Sequence, residues 1–327
     1  MRVLVLHSDV APDAPPDEQD TLITARAIAD ALETRGHLVL LAPFVFDPNA
    51  LRVIIEEHRA DIVFNMVEAI HRQGELAPIL PTLLEKLNVP KTGCGSAPMA
   101  LAGDKPLAKK LLRLAGLPTP EWHEAPFDTA ADGISYIVKS STEDASVGLD
   151  ADAVVRGRDA LRQRAEFCRR EYGGRWFAEA YIEGREFNVS VLEENGGPRV
   201  LPIPEMVFHN WAPGRPRIVG YDAKWSEISP EYSDTQRRFG AYATEPALHR
   251  KLTELSEAAW RLFDLRGYAR VDFRVSEDGE PFILEINPNP CLEPGSGFAA
   301  AAGEASMSYA EVIEKILFTA LGQTAIR

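Results

Sequence analysis

The stretch Arg270–Pro290, RVDFRVSEDGEPFILEINPNP, limits the possible folds of this chain more than any other. Apolar and polar residues alternate from Val271 to Val275 and, less regularly, from Phe282 to Asn287. Between them stands Asp278-Gly279, the strongest short hairpin signal a sequence offers. A two-residue turn centred there predicts the register: Glu277 opposite Glu280, Val275 opposite Phe282, Phe273 opposite Leu284, Asp272 opposite Glu285, Arg270 opposite Asn287. Side chains alternate across a strand. Arg270, Asp272, Glu285 and Asn287 therefore share one face, and Val271, Phe273, Phe282, Leu284 and Ile286 are expected on the core face.

Two carboxylates directly opposite on a sheet repel each other. A divalent cation between them removes the repulsion, and Mg²⁺ is held by one or two carboxylates plus substrate phosphates. The same residues also fit a solvated hairpin with a polar outer face. Asp272, then a hairpin, then Glu285-x-Asn287 closing on the loop PNPCLEP, resembles the metal site of ATP-grasp ligases, and most of all the D-alanine–D-alanine ligases. The likeness continues in the same motif order over nearly the whole chain. It implies an α/β and α+β protein: an N-terminal parallel-sheet domain (1–100), then a two-subdomain ATP-grasp fold (101–178 with a mobile phosphate loop, 179–327 with a lid and the metal site). It also implies ATP, two Mg²⁺ ions (Mn²⁺ as the alternative) on Asp272, Glu285 and Asn287, and amide formation through an acyl phosphate with release of ADP and phosphate. The substrates implied are a small carboxylate and an amine, amino acids in particular, and the assembly a homodimer.

The formal charge of −14 argues against nucleic acid or an anionic membrane as the main partner. Cys94, Cys168 and Cys291 are odd in number and far apart, with neither disulfide nor metal-ligand spacing. A reduced, cytoplasmic setting is expected. Met1-Arg2 runs straight into VLVLH, too short for a secretory core, and no apolar run approaches membrane-spanning length.

Along the chain, strands at 2–7, HLVLLAP and DIVFNMVE alternate with helical patterns at Thr21–Arg35 and Leu51–Arg59, which predicts a parallel sheet with binding groups at its carboxyl ends. The acidic residues Asp9, Asp13, Asp17, Glu18, Asp20 and Glu68 fall at such ends; Glu68 follows an apolar strand and is the one expected to face a ligand. A helix over Leu76–Leu87 carries Pro81 inside it, and NVPKTGCGS reads as strand and turn. The strand Ile134–Lys139 precedes SSTEDASVG, whose small residues let backbone N–H groups wrap phosphate oxygens. Residues 205–240 lack periodicity and are expected to be a structureless lid. Leu248–Phe263 is an amphipathic helix, and Tyr309–Leu321 a capping helix.

The resemblance assigns roles to these motifs. Lys105 of GDK reaches the ATP α-phosphate; Lys139 with Ser146, Val147 and Gly148 forms the phosphate loop. In EAYI, Glu179 accepts from the adenine amino group and the backbone of Ala180 and Ile182 completes the ring contacts, while Glu186 binds the ribose. Lys224 of GYDAKWSE reaches the γ-phosphate, and Arg270 stabilises the tetrahedral oxyanion; Arg270, Lys224 and Lys139 are the catalytic set. The departures concern the substrates. The first loop, SDVAPDAPPDEQD, lacks the family's GGxSxEHxVS and its ammonium-binding glutamate. Ala145 and Trp225 stand where the family has serine and tyrosine, Glu68 where it has histidine, and PNPCLEP where it has TSPGMT. A different substrate pair is expected, with Glu68 on the ammonium of the carboxylate donor, Asp17 or Glu18 as the weaker candidates, and Trp225, Cys291, Ser296 and Gly297 in the pocket. A true D-alanine–D-alanine ligase, an ATP-grasp kinase and a non-catalytic ATP-binding module are the rival readings.

Overall fold

The computed structural model describes residues 1–11 and 13–324; position 12 of the first loop and the last three positions of the region expected to end at 327 lie outside it. The chain runs β1 (Arg2–His7), α1 (Pro16–Thr34), β2 (Leu38–Pro43), α2 (Pro48–His58), β3 (Ile62–Met66), α3 (Ile79–Leu87), α4 (Ser96–Gly103) and α5 (Lys105–Leu114). It continues through β4 (Trp122–Glu124), β5 (Ser135–Ser140), β6 (Val154–Arg156), α6 (Arg158–Tyr172), β7 (Trp176–Ala180), β8 (Gly184–Glu194), β9 (Gly197–Val200) and β10 (Glu205–Phe208). The remainder is α7 (Tyr221–Trp225), α8 (Pro230–Asp234), β11 (Thr235–Arg238), α9 (Ala241–Thr244), α10 (Pro246–Leu262), β12 (Tyr268–Ser276), β13 (Pro281–Asn287), α11 (Gly297–Glu304) and α12 (Tyr309–Thr324).

Three sheets result. The first is parallel, in the order β2-β1-β3. The expected strand at NVPKTGCGS contributes only a bridge from Lys91 to Val63. Val3, Val5 and Phe64 on this sheet pack with Ala25, Ile28 and Leu32 of α1 and with Val312, Ile313, Ile316 and Leu317 of α12. Each fully buried aliphatic side chain contributes about 1.5–3 kcal/mol, so α12 is a part of this core and not merely a cap. The second sheet, β4-β7-β5-β6, is antiparallel and covered by Leu161, Ala165 and Cys168 of α6. The third runs β11-β10-β8-β12-β13 with β9 beside β8, and packs on α4, α5 and α10.

Local chemistry explains where elements begin. Helix α1 starts at Pro16, five residues before the expected Thr21, because a proline in the first turn needs no N–H partner and Asp17 and Glu18 complement the helix dipole there. Helix α3 starts at Ile79, so Pro81 also lies in a first turn and interrupts nothing. Residues 205–240 are not structureless: β10 pairs antiparallel with β11, Glu205 opposite Arg238, and α7 and α8 lie between them.

The hairpin β12–β13 follows the expected register only in its outer half. Arg270 faces Asn287 and Asp272 faces Glu285, but a bulge then sets Phe273 opposite Ile283, Arg274 opposite Phe282 and Val275 opposite Pro281. Two residues oppose one at a bulge and the strand bends. Ile283 therefore enters the core, fully buried, while Phe282 and Leu284 stay half-buried outside the core cluster, on the side of Arg274. Ile283 is pinned by the chain at 118–119: its N–H donates to Pro118 O at 2.8 Å, and Thr119 Oγ1 donates to its carbonyl at 2.8 Å.

Strands β7 and β8 belong to different sheets, and Tyr181–Glu183 join them. Gly184 opens β8 with φ +144°, and a Cβ there would meet Val275 O at 2.1 Å. No rotamer relieves a clash with backbone. Gly184→Ala is expected to lower the unfolding free energy by about 1–3 kcal/mol, as overpacked sites do; a urea midpoint unchanged from the parent would show that the two strands do not meet this closely.

Candidate active site

The second and third sheets both bring charged side chains of both signs to the cleft, Lys139 and Glu179 from one and Arg270, Asp272, Arg274 and Glu186 from the other. Arg270 grips Asp272 through two parallel bonds, Nε to Oδ1 and Nη2 to Oδ2, each 2.8 Å. Asn287 Oδ1 accepts from the Asn289 N–H at 3.0 Å, and Tyr268 donates its hydroxyl to Asn289 Oδ1 at 2.6 Å, so the turn leaving β13 is braced from the core. Burial opposes the charge on Glu285, yet Lys105, Lys139, Arg270 and Lys224 outweigh it and bring this carboxyl down to about 2. Four cations converge on this carboxylate, and three of them also pair with a further one, Lys105 with Asp144, Lys139 with Glu179 and Arg270 with Asp272.

Each cation arrives on a different element. Lys105 opens α5; its ammonium donates to Glu143 O and Asp144 Oδ1 at 2.8 Å each and lies 3.9 Å from Glu285 Oε2. Lys139, near the end of β5, lies 2.6 Å from Glu179 Oε1, and Lys109 lies 2.5 Å from Glu179 Oε2. Burial works against charge on Glu179, but the two lysines hold it ionised and lower its pKa. Lys224 has no ion pair among the described residues; burial, then Arg270, depresses its pKa.

The residues expected to form the phosphate loop are tied to the segment expected to form the lid. Ser146 Oγ donates to Val219 O at 2.9 Å, Tyr221 N–H donates to Leu149 O at 2.9 Å, and Trp225 Nε1 donates to Ala145 O at 3.0 Å. Ala145, Ser146 and Gly148 all have left-handed backbones, and Val147 N–H turns back to Asp144 O. At the hinge, Ala180 ends β7, Ile182 follows, and Glu186 of β8 lies across from Arg274.

The expected substrate residues divide. Glu68 lies two residues past β3 and opens to the cleft, its N–H held by Ser8 Oγ at 3.1 Å. The surrounding protein mass, then Asp144, Asp20 and Asp17, push its carboxyl up to about 8, with Arg270 acting against them. Asp17 accepts from the Tyr221 hydroxyl at 2.8 Å, and Cys291 donates its thiol to Asp20 Oδ2 at 3.2 Å. Glu18 instead pairs with the exposed Arg72 at 2.7 Å. Ser296 caps α11, Gly297 begins it, and Arg237 reaches the preceding Gly295 O at 2.6 Å.

The D-ala D-ala ligase C-terminus family matches residues 116–318. The D-alanine–D-alanine ligase of Desulforudis audaxviator is 33% identical over 313 residues, covering 92% of this chain and 94% of its own. That of Synechococcus sp. is 29% identical over 316 residues, covering 93% and 90%. The chain belongs to the D-alanine–D-alanine ligase family. It is an ADP-forming ATP-grasp ligase that joins a carboxylate to an amine, in a family that is ATP-dependent and typically uses Mg²⁺. The fold agrees: the D-alanine–D-alanine ligase of Bacillus anthracis complexed with ATP superposes with a TM-score of 0.76 at 21% identity, covering 99% of both chains. Among the described residues, no helix is long and apolar enough to cross a membrane.

Two side chains at this ligase cleft escaped the sequence reading. Lys109 is buried with Glu179 and also donates to Thr119 Oγ1 at 3.0 Å; its signal was a lysine four residues after Lys105, on the same helix face. Arg274 continues the alternation Arg270, Asp272, Arg274 on the cleft face. Glu68 supplies a test of the charge distribution. The folded chain keeps a proton on Glu68 between 4.5 and about 8 that the unfolded chain loses, so stability falls as pH rises through that window. Water reaches this side chain, so the effect is a fraction of the full shift. The melting temperature of the ligand-free parent is expected to fall relative to Glu68→Gln across that window; a constant difference would mean that no proton is held there.

Proposed function

We propose that this ligase activates the carboxylate of one amino acid as an acyl phosphate and joins it to the amine of a second, with a substrate pair other than two D-alanines. The observation that carries the reading is the cation cluster on Glu285 set beside an acidic pocket around Glu68. The first suits a triphosphate, and the second suits a substrate ammonium. The residues fit a hard dication: Asp272 and Glu285 are cross-strand neighbours, and Asn287 adds an amide oxygen one pleat along. In this reading Asp272, Glu285 and Asn287 would hold Mg²⁺, which would supply neutralisation of the phosphate charge.

The chain's own residues do the rest. Lys105, Lys139 and Lys224 bind the phosphates, with Lys224 on the transferred group as the substrate carboxylate attacks the γ-phosphorus. Ser146, Val147 and Gly148 close over the phosphates, and the lid excludes water that would hydrolyse the acyl phosphate. The amine then attacks the acyl carbon, and Arg270, fixed by Asp272, stabilises the oxyanion. Glu179 accepts from the adenine amino group, with the backbone of Ala180 and Ile182 beside the ring, and Glu186 accepts from the ribose. Glu68 holds the ammonium of the carboxylate donor, assisted by Asp20. Trp225, Cys291, Ser296 and Gly297 bound the second subsite. The divisions near 100 and 178 would separate the substrate-binding part from the two halves that grip ATP, in a cytoplasmic homodimer.

An ADP-release screen over amino-acid pairs, with mass spectrometry of the product, tests this reading. ADP formation that requires both an acid and an amine, and yields their amide, supports it. Turnover with D-alanine alone as both substrates favours the rival D-alanine–D-alanine ligase, for which the 29–33% identities speak. ADP with a phosphorylated acid and no amide would indicate a kinase. Asp272→Asn and Glu285→Gln are expected to abolish turnover without unfolding the chain, since each removes charge and little volume; near-normal rates at millimolar Mg²⁺ would exclude this metal site. Glu68→Gln is expected to raise the Michaelis constant of the carboxylate donor roughly 30-fold, as loss of one partner of a charge pair does, and to leave that of ATP unchanged.

A further inference from the structure

Arg274 is the most deeply buried cation on the cleft face of β12, with 4% of its surface exposed. Two of its nitrogens are committed. Nε donates to Ile182 O in the hinge at 3.1 Å, and Nη1 donates to Arg217 O in the lid segment at 2.8 Å while lying 3.4 Å from Glu186 Oε2. The guanidinium rests over the Tyr181 ring, 5.5 Å from its centroid, and Tyr181 in turn accepts from the Arg217 N–H at 2.9 Å. Nη2 is buried and has no hydrogen-bond partner among the described residues. A buried charged donor left without an acceptor carries the full desolvation cost of its N–H groups. The rest of the guanidinium is held by Ile182 O, Arg217 O and Glu186, which leaves Nη2 as the group free to donate to a ligand.

The neighbours define that ligand. Arg274 pairs across the sheet with Glu186 on one side and Phe282 on the other. Glu186 is itself buried, and when ionised it offers acceptors only. A carboxylate alone satisfies the two O–H donors of a vicinal diol but none of the diol's lone pairs. A carboxylate beside a free guanidinium N–H satisfies both. The bulge that turns Phe282 outward places an aromatic face next to this pair, against which a sugar or base can lie.

We propose that Arg274 is a nucleotide-binding residue that donates from Nη2 to one ribose hydroxyl of ATP while Glu186 accepts from the other. The proposal rests on the ATP reading of the cleft given above. It makes this chain a reader of the intact ribose diol, and it attaches that recognition to the hinge through Ile182 O and to the lid through Arg217 O. The residue spends no bond on the triphosphate, so its loss should touch sugar selectivity and leave the phosphate-transfer machinery in place.

Binding of ATP, 2′-deoxy-ATP and 3′-deoxy-ATP, each with Mg²⁺, to the full chain by calorimetry provides the test. The parent is expected to bind at least one deoxy nucleotide about tenfold more weakly than ATP, the worth of one charge-assisted hydrogen bond. In Arg274→Met, ATP binding should weaken by about tenfold while that deoxy nucleotide is unaffected, so that the discrimination disappears. A merely structural arginine would weaken all three nucleotides alike. Arg274→Met that keeps the parent's discrimination, together with Glu186→Gln that weakens ATP, overturns the role of Arg274 alone. ATP binding unchanged in both variants overturns the cleft reading with it. Should Arg274→Met not fold, the parent decides: equal affinity for all three nucleotides overturns the proposal.

Discussion

The crowding of Lys105, Lys139, Lys224 and Arg270 around Glu285 is the constraint on which the rest of the cleft depends. Cations this close repel, and burial raises the cost of each. Without phosphates, the chain supplies its own counter-ions: Asp144 lies against Lys105, Glu179 against Lys139 and Asp272 against Arg270. Lys224 alone of the four has no ion pair among the described residues, and its pKa is the one that burial depresses. In the function proposed above, these carboxylates hold the places that phosphate oxygens would take. Lys109 holds the other carboxylate oxygen of Glu179.

Much of this was legible in the chain itself, for a physical reason. The metal hairpin is local in sequence, and its outer register depends only on alternation and a turn, so Asp272 opposite Glu285 and Arg270 opposite Asn287 could be read directly. The inner register could not. The bulge at Leu284 is fixed by Pro118 and Thr119, far away in sequence, and it exchanges Ile283 for Phe282 and Leu284 in the core. Likewise Pro81 conflicts with a helix that starts at Leu76 but not with α3, which starts at Ile79. The pairings of Asp17 with Tyr221 and of Glu18 with Arg72 are tertiary, and no spacing in the sequence announces them. Arg274 and Lys109 were overlooked because an isolated cation on a strand or helix is ordinarily a solvated one.

The segments 145–149 and 219–225 meet through bonds that each end on a main-chain carbonyl. Ser146, Leu149 and Ala145 meet Val219, Tyr221 and Trp225, and five of those six residues contribute only backbone or a single terminal atom. Gly220 belongs to the same seam, since a Cβ there would press on Leu149 O. Ala145 enters this seam only through its carbonyl, whereas Trp225 enters it through its indole N–H.

Helix α12 has a consequence for how the molecule is made. Its residues Val312, Ile313, Ile316 and Leu317 cover the same core as Ala25, Ile28 and Leu32 of α1. During synthesis the first sheet, complete at Met66, leaves the ribosome well before its packing partner α12, which begins at Tyr309. The first sheet therefore precedes the helix that seals it, and its apolar face must be sheltered from neighbouring nascent chains in the interval.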